Sequence, residues 1–373
     1  MKIIMDIAFG FLDIVYFFMK LAPRKDKVVF ISRQSDVPGP NFTLVAAALA
    51  ADHPGIQVVM MCRMIRPGLK AKLGYIGEMF AQMRQMADAR VVVLDTYCIT
   101  VSCLHHRKGL KVIQMWHALG CFKKFGCSIL DRPGGSSSKL AQAMRMHRNY
   151  DYVFVSAPVC KPFFAQAFAT DIARMVVQPL PIVDQLTDPG YIRATREKVL
   201  TAHPQLKDKP VVLYAPTFRK DEAGLAQAVT ALCRRFDYRR YNLVIKPHPL
   251  SKITFDESQV ITDPAFSTQQ FACAADLVIT DYSAVVYEIA LLGKPMVFYA
   301  FDKADYADAR DFYIDYDKQM PGPICQNLDG LLKVLAGLWP DGSAVRAFAD
   351  TYVAPGRTHN AADIAAFIAA LMR

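Results

Sequence analysis

The sequence predicts an α/β fold with two doubly wound, Rossmann-type parallel-sheet domains, a cleft between them and an amphipathic N-terminal helix. The chain has 373 residues, more than the roughly 250–300 that usually share one hydrophobic core. Short apolar runs alternate with longer amphipathic runs, as in a parallel sheet covered by helices. The alternation stops at a proline-rich stretch, residues 176–189, and then starts again. These observations predict two successive domains of one class.

The apolar runs give the strands, and the amphipathic runs between them give the helices. In the first half we expect strands over 28–32, 57–61, 90–95, 111–115 and 152–156, and helices over 42–51 and 70–87. In the second half we expect strands over 211–214, 242–246, 259–262, 277–280 and 296–299, and helices over 222–235, 284–292 and 328–339. Doubly wound sheets bind ligands at the carboxyl ends of their strands, so the residues that follow each strand are candidates for a site.

These boundaries divide the chain into four parts. They are an N-terminal helix, residues 1–24; an N-terminal Rossmann-like domain, 25–180; a C-terminal Rossmann-like domain, 181–355; and a C-terminal helix, 356–373. The last part is alanine-rich and amphipathic, and we expect it to pack back across the domain junction.

The N-terminal segment is almost wholly apolar from residue 3 to residue 22, but three charged residues interrupt it at intervals of seven: Asp6, Asp13 and Lys20. On an α-helix this spacing places them on one narrow stripe. A carboxylate facing lipid at mid-bilayer is expensive, which disfavours a spanning helix. The pattern fits a helix in the membrane interface, with Arg24 to Lys27 near anionic headgroups, or a helix docked on an apolar protein face.

Composition excludes several classes of protein. A mean hydropathy of +0.16 with 11% aromatic residues excludes a disordered chain. The net charge of +10 allows nucleic acid, membrane or phosphate partners, but there is no RNP, zinc-finger or helix-turn-helix signature, so we expect no nucleic acid. Nine cysteines without a CxxC pair predict neither a zinc site nor a disulfide framework. No secretory cleavage site is visible, which favours the cytoplasm.

The strand predicted over 111–115 runs into Trp116 and His117, followed by Lys123 and Lys124. A histidine that leaves a buried strand can accept a proton near neutral pH. A structural histidine with satisfied hydrogen bonds is the alternative.

Two loops of the second half carry further candidates. The strand over 211–214 leads to Thr217 and Arg219, whose planar guanidinium suits phosphate oxygens. The next strand ends at His248, which lies between Pro247 and Pro249, so the backbone on both sides of the imidazole is restricted. The alternative for Arg219 is an exposed loop arginine without a ligand, and the alternative for His248 is an ordinary proline-flanked turn.

The segment after the strand over 277–280 reads Asp281, Tyr282, Ser283, Ala284 and then a helical run that contains Glu288. Ser283 is a natural N-cap, so the free N–H groups of this helix would face the ligand side. Glu288 can accept hydrogen bonds from hydroxyls such as those of a ribose. There is no GxxxxGK[ST] loop, HExxH motif or acidic cluster, so we expect no metal site.

Together these segments resemble the CDP-glycerol glycerophosphotransferase family, which primes and polymerises teichoic-acid and related capsule chains. The resemblance rests on Trp116-His117 with the lysines that follow, on Tyr214 to Arg219, on His248-Pro249, and on Asp281 to Ala284 with Glu288. It spans roughly residues 28–299. Ala118 stands where the family usually has glycine, and Glu288 replaces a common aspartate. The family fold is GT-B-like.

The resemblance implies transfer of glycerol phosphate or ribitol phosphate from a CDP-alditol to a hydroxyl of a lipid-linked or polymer acceptor, with release of CMP and no required cofactor. It implies an acceptor role for the N-terminal domain and a CDP-donor role for the C-terminal domain. His117 is then the base, and Trp116, Lys123 and Lys124 contact acceptor or phosphate. His248 is also catalytic. The donor-binding set is Thr217, Arg219, His248, Asp281, Tyr282, Ser283, Ala284 and Glu288.

We expect the enzyme to act as a peripheral protein at the inner face of the cell membrane. One alternative is a GT-B glycosyltransferase that uses a CMP-, CDP- or UDP-sugar, since fold alone does not separate the two reactions. Another is a non-catalytic protein that binds phosphate polymers. The residues carry no signal for glycerol against ribitol, primase against polymerase, acceptor identity or oligomeric state.

Overall fold

The apolar runs form the buried strands of two six-stranded parallel sheets. The structure is a computed structural model that describes residues 2–66, 68–132, 134–256, 258–303, 311–353 and 356–373. Two units are present: unit 1 is Met1–Asp184 with Arg357–Arg373, and unit 2 is Gln185–Gly356.

Unit 1 contains a sheet in the order β2-β1-β3-β4-β5-β6. Its strands are β1 (Lys27–Ser32), β2 (Gln57–Cys62), β3 (Val91–Leu94), β4 (Lys111–Gln114), β5 (Tyr152–Val155) and β6 (Met175–Val177). Its helices are α1 (Lys2–Met19), α2 (Pro40–Asp52), α3 (Leu69–Ala87), α4 (Ile99–Cys103), α5 (Ser138–Ala143) and α6 (Lys161–Phe168), and α7 (Ile182–Thr187) leads into unit 2. Every residue of β1 and β3 is buried, as a sheet covered on both faces requires.

Unit 2 contains the second sheet, in the order β12-β11-β10-β7-β8-β9. Its strands are β7 (Val211–Tyr214), β8 (Asn242–Ile245), β9 (Val260–Ile261), β10 (Leu277–Thr280), β11 (Met296–Tyr299) and β12 (Ile324–Cys325). Its helices are α8 (Pro189–Ala202), α9 (Ala223–Arg235), α10 (Thr268–Ala274), α11 (Val285–Leu291), α12 (Tyr316–Gln319), α13 (Leu328–Ala336) and α14 (Ser343–Tyr352). The core of unit 2 lies between the sheet and its helices, where α9 and α13 contribute Val229, Leu232 and Leu331.

The predicted fold class of two parallel α/β units is confirmed. All ten predicted strands form, and three of them, β7, β10 and β11, have the predicted bounds. Two short strands were missed. β6 has three residues at the start of the proline-rich stretch, and β12 is a single apolar pair that directly follows Pro323, so neither stands out as an apolar run.

Helix α1 faces the rest of unit 1 with its charged stripe and exposes its apolar stripe to solvent. Asp13 accepts the N–H of His105 (2.8 Å) and pairs with its ring (2.7 Å). Asp6 lies 3.8 Å from Arg145, and Lys20 donates to the carbonyl of His105. The apolar stripe is 56–75% exposed at Ile3, Ile7, Phe11, Ile14, Phe17, Phe18 and Leu21. In the part of the chain that the structure describes, no helix combines the length and apolarity needed to cross a bilayer.

The C-terminal helix, α15 (Asn360–Ala370), belongs to unit 1, although the chain reaches it from unit 2. It packs against α2, and the ring of Phe367 meets those of Tyr152 and Phe154 at 5.1 and 5.5 Å. Asn360, which is fully buried, donates a 2.7 Å hydrogen bond to Asp184.

Candidate active site

Each sheet has one point where the strand order reverses, between β1 and β3 in unit 1 and between β7 and β10 in unit 2. Ligands of doubly wound sheets bind outside the carboxyl ends of the strands at this point. The candidates from the sequence follow β4 in unit 1 and β7, β8 and β10 in unit 2. They therefore lie at the carboxyl edge of each sheet, at the reversal point in unit 2 and one strand away from it in unit 1.

In unit 1 the loop after β4 is set by Gln114 and Trp116. Gln114 is fully buried; its side chain accepts the N–H of Trp116 (2.9 Å) and donates to the carbonyl of Thr96 (3.1 Å). Trp116 has a φ of 61°, a left-handed conformation that costs a non-glycine residue about 1–3 kcal/mol. Its ring stacks on Phe125 at 4.6 Å. These contacts fix the backbone immediately before His117.

His117 is exposed and has a defined tautomer. Its Nδ1 lies 2.8 Å from the carbonyl oxygen of Asp95. A carbonyl only accepts, so Nδ1 carries the hydrogen and Nε2 of the neutral ring carries the lone pair. Desolvation by the surrounding protein lowers the pKa of His117, and the bond to Asp95 opposes this shift. The ring is therefore neutral at physiological pH and suited to accept a proton.

Lys123 and Lys124 lie half-buried on the same loop as Trp116 and His117. The following residues, Phe125 and Gly126, attach this loop to α6. Phe125 meets Phe164 at 5.3 Å, and a Cβ on Gly126 would come within 2.4 Å of the carbonyl oxygen of Ala167. Gly126 also has a φ of 57°, so this position requires glycine.

In unit 2 a buried cluster joins the loops after β7 and β10. Asp281 is fully buried and accepts from the hydroxyl (2.5 Å) and the N–H (3.0 Å) of Thr217. Its other carboxylate oxygen lies 2.6 Å from Nη1 of Arg219. Asp302 binds the opposite side of the guanidinium through two bonds of 2.9 Å. The cluster ties the two loops together across the reversal point of the sheet.

This pairing changes the electrostatics expected of Arg219. Although burial acts to lower the pKa of Arg219, the carboxylates of Asp281 and Asp302 raise it above its usual value. One cation with two carboxylates carries a formal charge of −1, so the arginine is already compensated. The geometry favours a positioning role for Arg219, and direct contact with phosphate stays a prediction.

The segment after β10 differs in detail from the prediction. α11 begins at Val285 with Ala284 in the capping position, so the prediction of Ser283 as the N-cap is wrong by one residue. The Ser283 hydroxyl instead accepts the N–H of Val285 at 3.3 Å. Val285 is the first residue of α11, so the hydroxyl still binds an N–H of the first turn, from one position before the cap. Tyr282 is fully buried, and its ring lies 5.4 Å from that of Tyr316.

Glu288 is half-buried on α11, and its carboxylate accepts a 2.6 Å hydrogen bond from Gln269 of α10. Burial raises the pKa of Glu288 to about 7, and the bond from Gln269 partly opposes the shift. A carboxyl with this pKa changes charge near neutral pH. Its proposed bond to a ribose stays a prediction.

His248 is exposed after β8 and has the tautomer opposite to that of His117. The N–H of Leu250 donates to its Nδ1 at 3.2 Å, so Nδ1 carries the lone pair and Nε2 of the neutral ring carries the hydrogen. The ring of Phe218, between Thr217 and Arg219, lies 5.7 Å away. The structure therefore places His248 beside the loop that follows β7.

The structure brings some predicted residues together and leaves others apart. Direct hydrogen bonds join Thr217, Arg219 and Asp281, and ring contacts place His248 next to this group. Glu288 is held separately, by α10.

Sequence reasoning missed the residues that hold the candidates in place. They are Gln114, Asp95, Gln269 and Asp302. Gln114 had a visible signal, a polar residue at the end of an apolar run, whereas Asp302 is 83 residues from its arginine. Among the described residues, no group of three or more His, Cys, Asp or Glu is arranged to hold a metal ion.

The fold defines a class: two doubly wound parallel α/β units of GT-B-like architecture, with polar residues at the strand ends. The chain belongs to the CDP-glycerol:poly(glycerophosphate) glycerophosphotransferase family, whose model matches residues 14–355. The family resemblance found in the sequence is thereby confirmed, and so is the assignment as an alditol-phosphate transferase that uses a CDP-alditol donor.

Two relatives and one solved structure illustrate the match. The chain is 32% identical to a teichoic acid ribitol-phosphate primase of Bacillus spizizenii, covering 94% of this chain and 93% of the relative. It is 31% identical to a teichoic acid poly(ribitol-phosphate) polymerase of the same organism, covering 85% of this chain but 52% of the relative. A structure of the wall teichoic acid polymerase TagF matches with a TM-score of 0.74 at 20% identity, covering 95% of this chain and 90% of that one.

Proposed function

We propose that this chain transfers ribitol phosphate from CDP-ribitol to a hydroxyl of a lipid-linked acceptor, as a primase. The match to a ribitol-phosphate primase, at 32% identity over 94% of this chain, supports this. Glycerol phosphate from CDP-glycerol is the alternative donor group.

The observation that carries the mechanism is the opposite protonation of the two exposed histidines. Nε2 of His117 has the lone pair and Nε2 of His248 has the hydrogen. His117 accepts the acceptor proton as the acceptor oxygen forms its bond to the distal phosphorus. The bond from that phosphorus to the bridging oxygen breaks, and CMP leaves. His248 donates a hydrogen bond to the phosphate oxygens that gain charge.

The buried cluster of Thr217, Arg219 and Asp281 holds the donor loop in place. Transfer of this kind depends on positioning and charge stabilisation more than on covalent help. CMP leaves as a phosphate ester with a second pKa of about 6, so the proposal requires neither a separate general acid nor a metal cofactor. Transfer that survives addition of EDTA would agree with it.

The test is a donor panel with a lipid-linked acceptor. We expect CMP release from CDP-ribitol and a product extended by a single unit. Preferred use of CDP-glycerol would show that the transferred group is glycerol phosphate. Products extended by many units would show that the enzyme is a polymerase and not a primase. Release of nucleotide only from a CMP- or UDP-sugar would replace the reaction by glycosyl transfer, and donor binding without release would refute catalysis.

We also propose that α1 attaches the enzyme to the membrane surface, at the cytoplasmic face. Its charged stripe is used against unit 1, whereas Phe11, Ile14 and Phe18 are each more than 60% exposed. An amphipathic helix with this distribution, followed by Arg24 and Lys25, is suited to an anionic interface.

Cosedimentation with phosphatidylglycerol vesicles tests this attachment. Phe11→Ser with Phe18→Ser should abolish most of the binding, because two large apolar groups are lost from the interface. Leu338→Ser is the matched control, since Leu338 is fully exposed in unit 2. Equal binding of both variants would refute the role of α1.

A further inference from the structure

Unit 1 contains a cavity of about 860 Å³ that His117 does not line. Its lining includes Val112 at the start of β4, Asp151 immediately before β5 and Arg174 immediately before β6. It is therefore at the amino ends of these strands, whereas His117 follows the carboxyl end of β4. The volume suits a small-molecule ligand.

The charge of the lining is positive. Three arginines, Arg145, Arg148 and Arg174, face one carboxylate, Asp151. Asp151 accepts the N–H of Val112 at 2.8 Å, and Asp6 of α1 lies 3.8 Å from Arg145. Three guanidinium groups therefore meet two carboxylates, which leaves a positive charge at the cavity. Guanidinium groups in such a number favour phosphate oxygens, which they bind through two parallel bonds.

Two of these arginines are fixed in direction by backbone carbonyls. Nη1 of Arg145 donates to the carbonyl of Cys103 at 2.8 Å, and Nη1 of Arg174 donates to the carbonyl of Tyr150. Arg148 is exposed at the rim. One wall has backbone strain, since Arg145, His147 and Asn149 all have φ between 44° and 69°. Strain of this kind is concentrated at sites that bind ligands.

The cavity lies next to α1. His105 and His106 line it, and they bond to Asp13 and Tyr16 of α1 at 2.7 and 3.3 Å. On its other side α1 exposes the apolar stripe. A molecule with a phosphate group and an apolar chain would therefore find both kinds of surface within one region of unit 1.

We propose that this cavity binds the phosphate group of a membrane amphiphile. The inference rests on the proposed function in one respect, because a lipid-linked acceptor would be such an amphiphile. A phospholipid headgroup also carries a phosphate group on an apolar chain. Free pyrophosphate carries phosphate groups but has no apolar chain.

Cys127 allows occupancy to be measured in the cavity itself, without catalysis. It lines the cavity and is half-buried. Cys62, at the end of β2, is also half-buried but does not line it. The rate of maleimide labelling of each thiol is measured by peptide mass spectrometry on the full chain, with farnesyl diphosphate, a short-chain phosphatidylglycerol or inorganic pyrophosphate added.

We expect farnesyl diphosphate to slow labelling of Cys127 at least fivefold and to leave Cys62 unchanged. Arg148→Glu should raise the half-protecting concentration tenfold or more, since a charge-assisted bond is lost. Arg148→Gln should give a smaller rise. Arg239→Glu, an exposed arginine in unit 2, should have no effect. An unchanged Cys62 rate in each variant shows that unit 1 is folded.

The inference would be overturned if no probe protected Cys127, if protection were equal in Arg148→Glu, or if CDP-glycerol displaced the probe at its donor-binding concentration. Protection by phosphatidylglycerol alone would support a headgroup as the source, and equal protection by pyrophosphate would overturn the amphiphile. If no CDP-alditol released CMP but Cys127 was still protected, the proposed function would be refuted and the inference about the cavity would stand.

Discussion

His117→Ala is the substitution that tests the proposed mechanism most directly. The bond from Nδ1 to the carbonyl of Asp95 leaves Nε2 as the acceptor atom, and desolvation lowers the pKa of the ring. A histidine with the ordinary pKa of about 6.5 is roughly nine-tenths neutral at pH 7.5. The lower pKa of His117 makes its neutral fraction larger still, so nearly every molecule holds a competent base.

Loss of that base should reduce kcat by about 10²–10⁴-fold, equivalent to about 3–5 kcal/mol of transition-state stabilisation. The KM for the donor should change little, because the donor loops lie in unit 2. In the intact enzyme, kcat should fall as the pH drops through the pKa of His117, below about 6.5, since protonation removes the lone pair. The variant should lack this limb of the pH profile.

The assay is CMP release from the CDP-alditol under saturating acceptor, measured from pH 5 to pH 9. Because His117 is exposed, added imidazole should restore part of the activity of His117→Ala. His53→Ala, at the end of α2, serves as the histidine control and should keep full turnover. A His117→Ala enzyme with near-normal kcat, or with an unchanged acid limb, would refute the assignment of the base.

Three further predictions concern stability and are checked by thermal or urea unfolding of the full chain. Asp281→Asn should destabilise unit 2 by about 1.5–3 kcal/mol, because Thr217 and Arg219 lose hydrogen bonds to a charged acceptor while Asp302 still pairs with the arginine. Burial raises the pKa of Glu288 from 4.5 to about 7. Ionisation of Glu288 therefore lowers the stability of the folded state as the pH rises through this range. Glu288→Gln should raise the unfolding midpoint more at pH 8 than at pH 4.5. Gly126→Ala should lower the free energy of unfolding by at least about 2 kcal/mol, because the φ of Gly126 is 57° and a Cβ there would meet a carbonyl oxygen at 2.4 Å. Gly77→Ala is the control. A Cβ at Gly77 inside α3 meets nothing within 4 Å, so this variant should be more stable by up to about 1 kcal/mol.

Much of the fold could be predicted because its signals are local. A buried parallel strand is a short apolar run, and β7, β10 and β11 were bounded correctly for that reason. The loops after them contain prolines, serines and charged residues that stand out from such runs. β12 is a single apolar pair after a proline, and its pairing with the distant β11 is what makes it a strand.

The chemistry of the site could be predicted only in part, since it depends on contacts between distant residues. The sequence identified Arg219 as a cation but not that two carboxylates compensate it. It identified two histidines but not their tautomers, which are set by the carbonyl of Asp95 and the N–H of Leu250. Those partners are main-chain atoms, so no side-chain pattern reports them.

The position of α15 has a consequence for how the protein is made. The ribosome synthesises residues 1–184 well before residues 357–373, because all of unit 2 is translated between them. Until the last segment emerges, the face of α2 that α15 covers is bare, and Asp184 has no Asn360 to bind. Unit 2 is contiguous in sequence and has no such delay. The half of the protein that is translated first is therefore the half that is completed last, and a nascent chain stalled before residue 357 would present an open hydrophobic surface to chaperones.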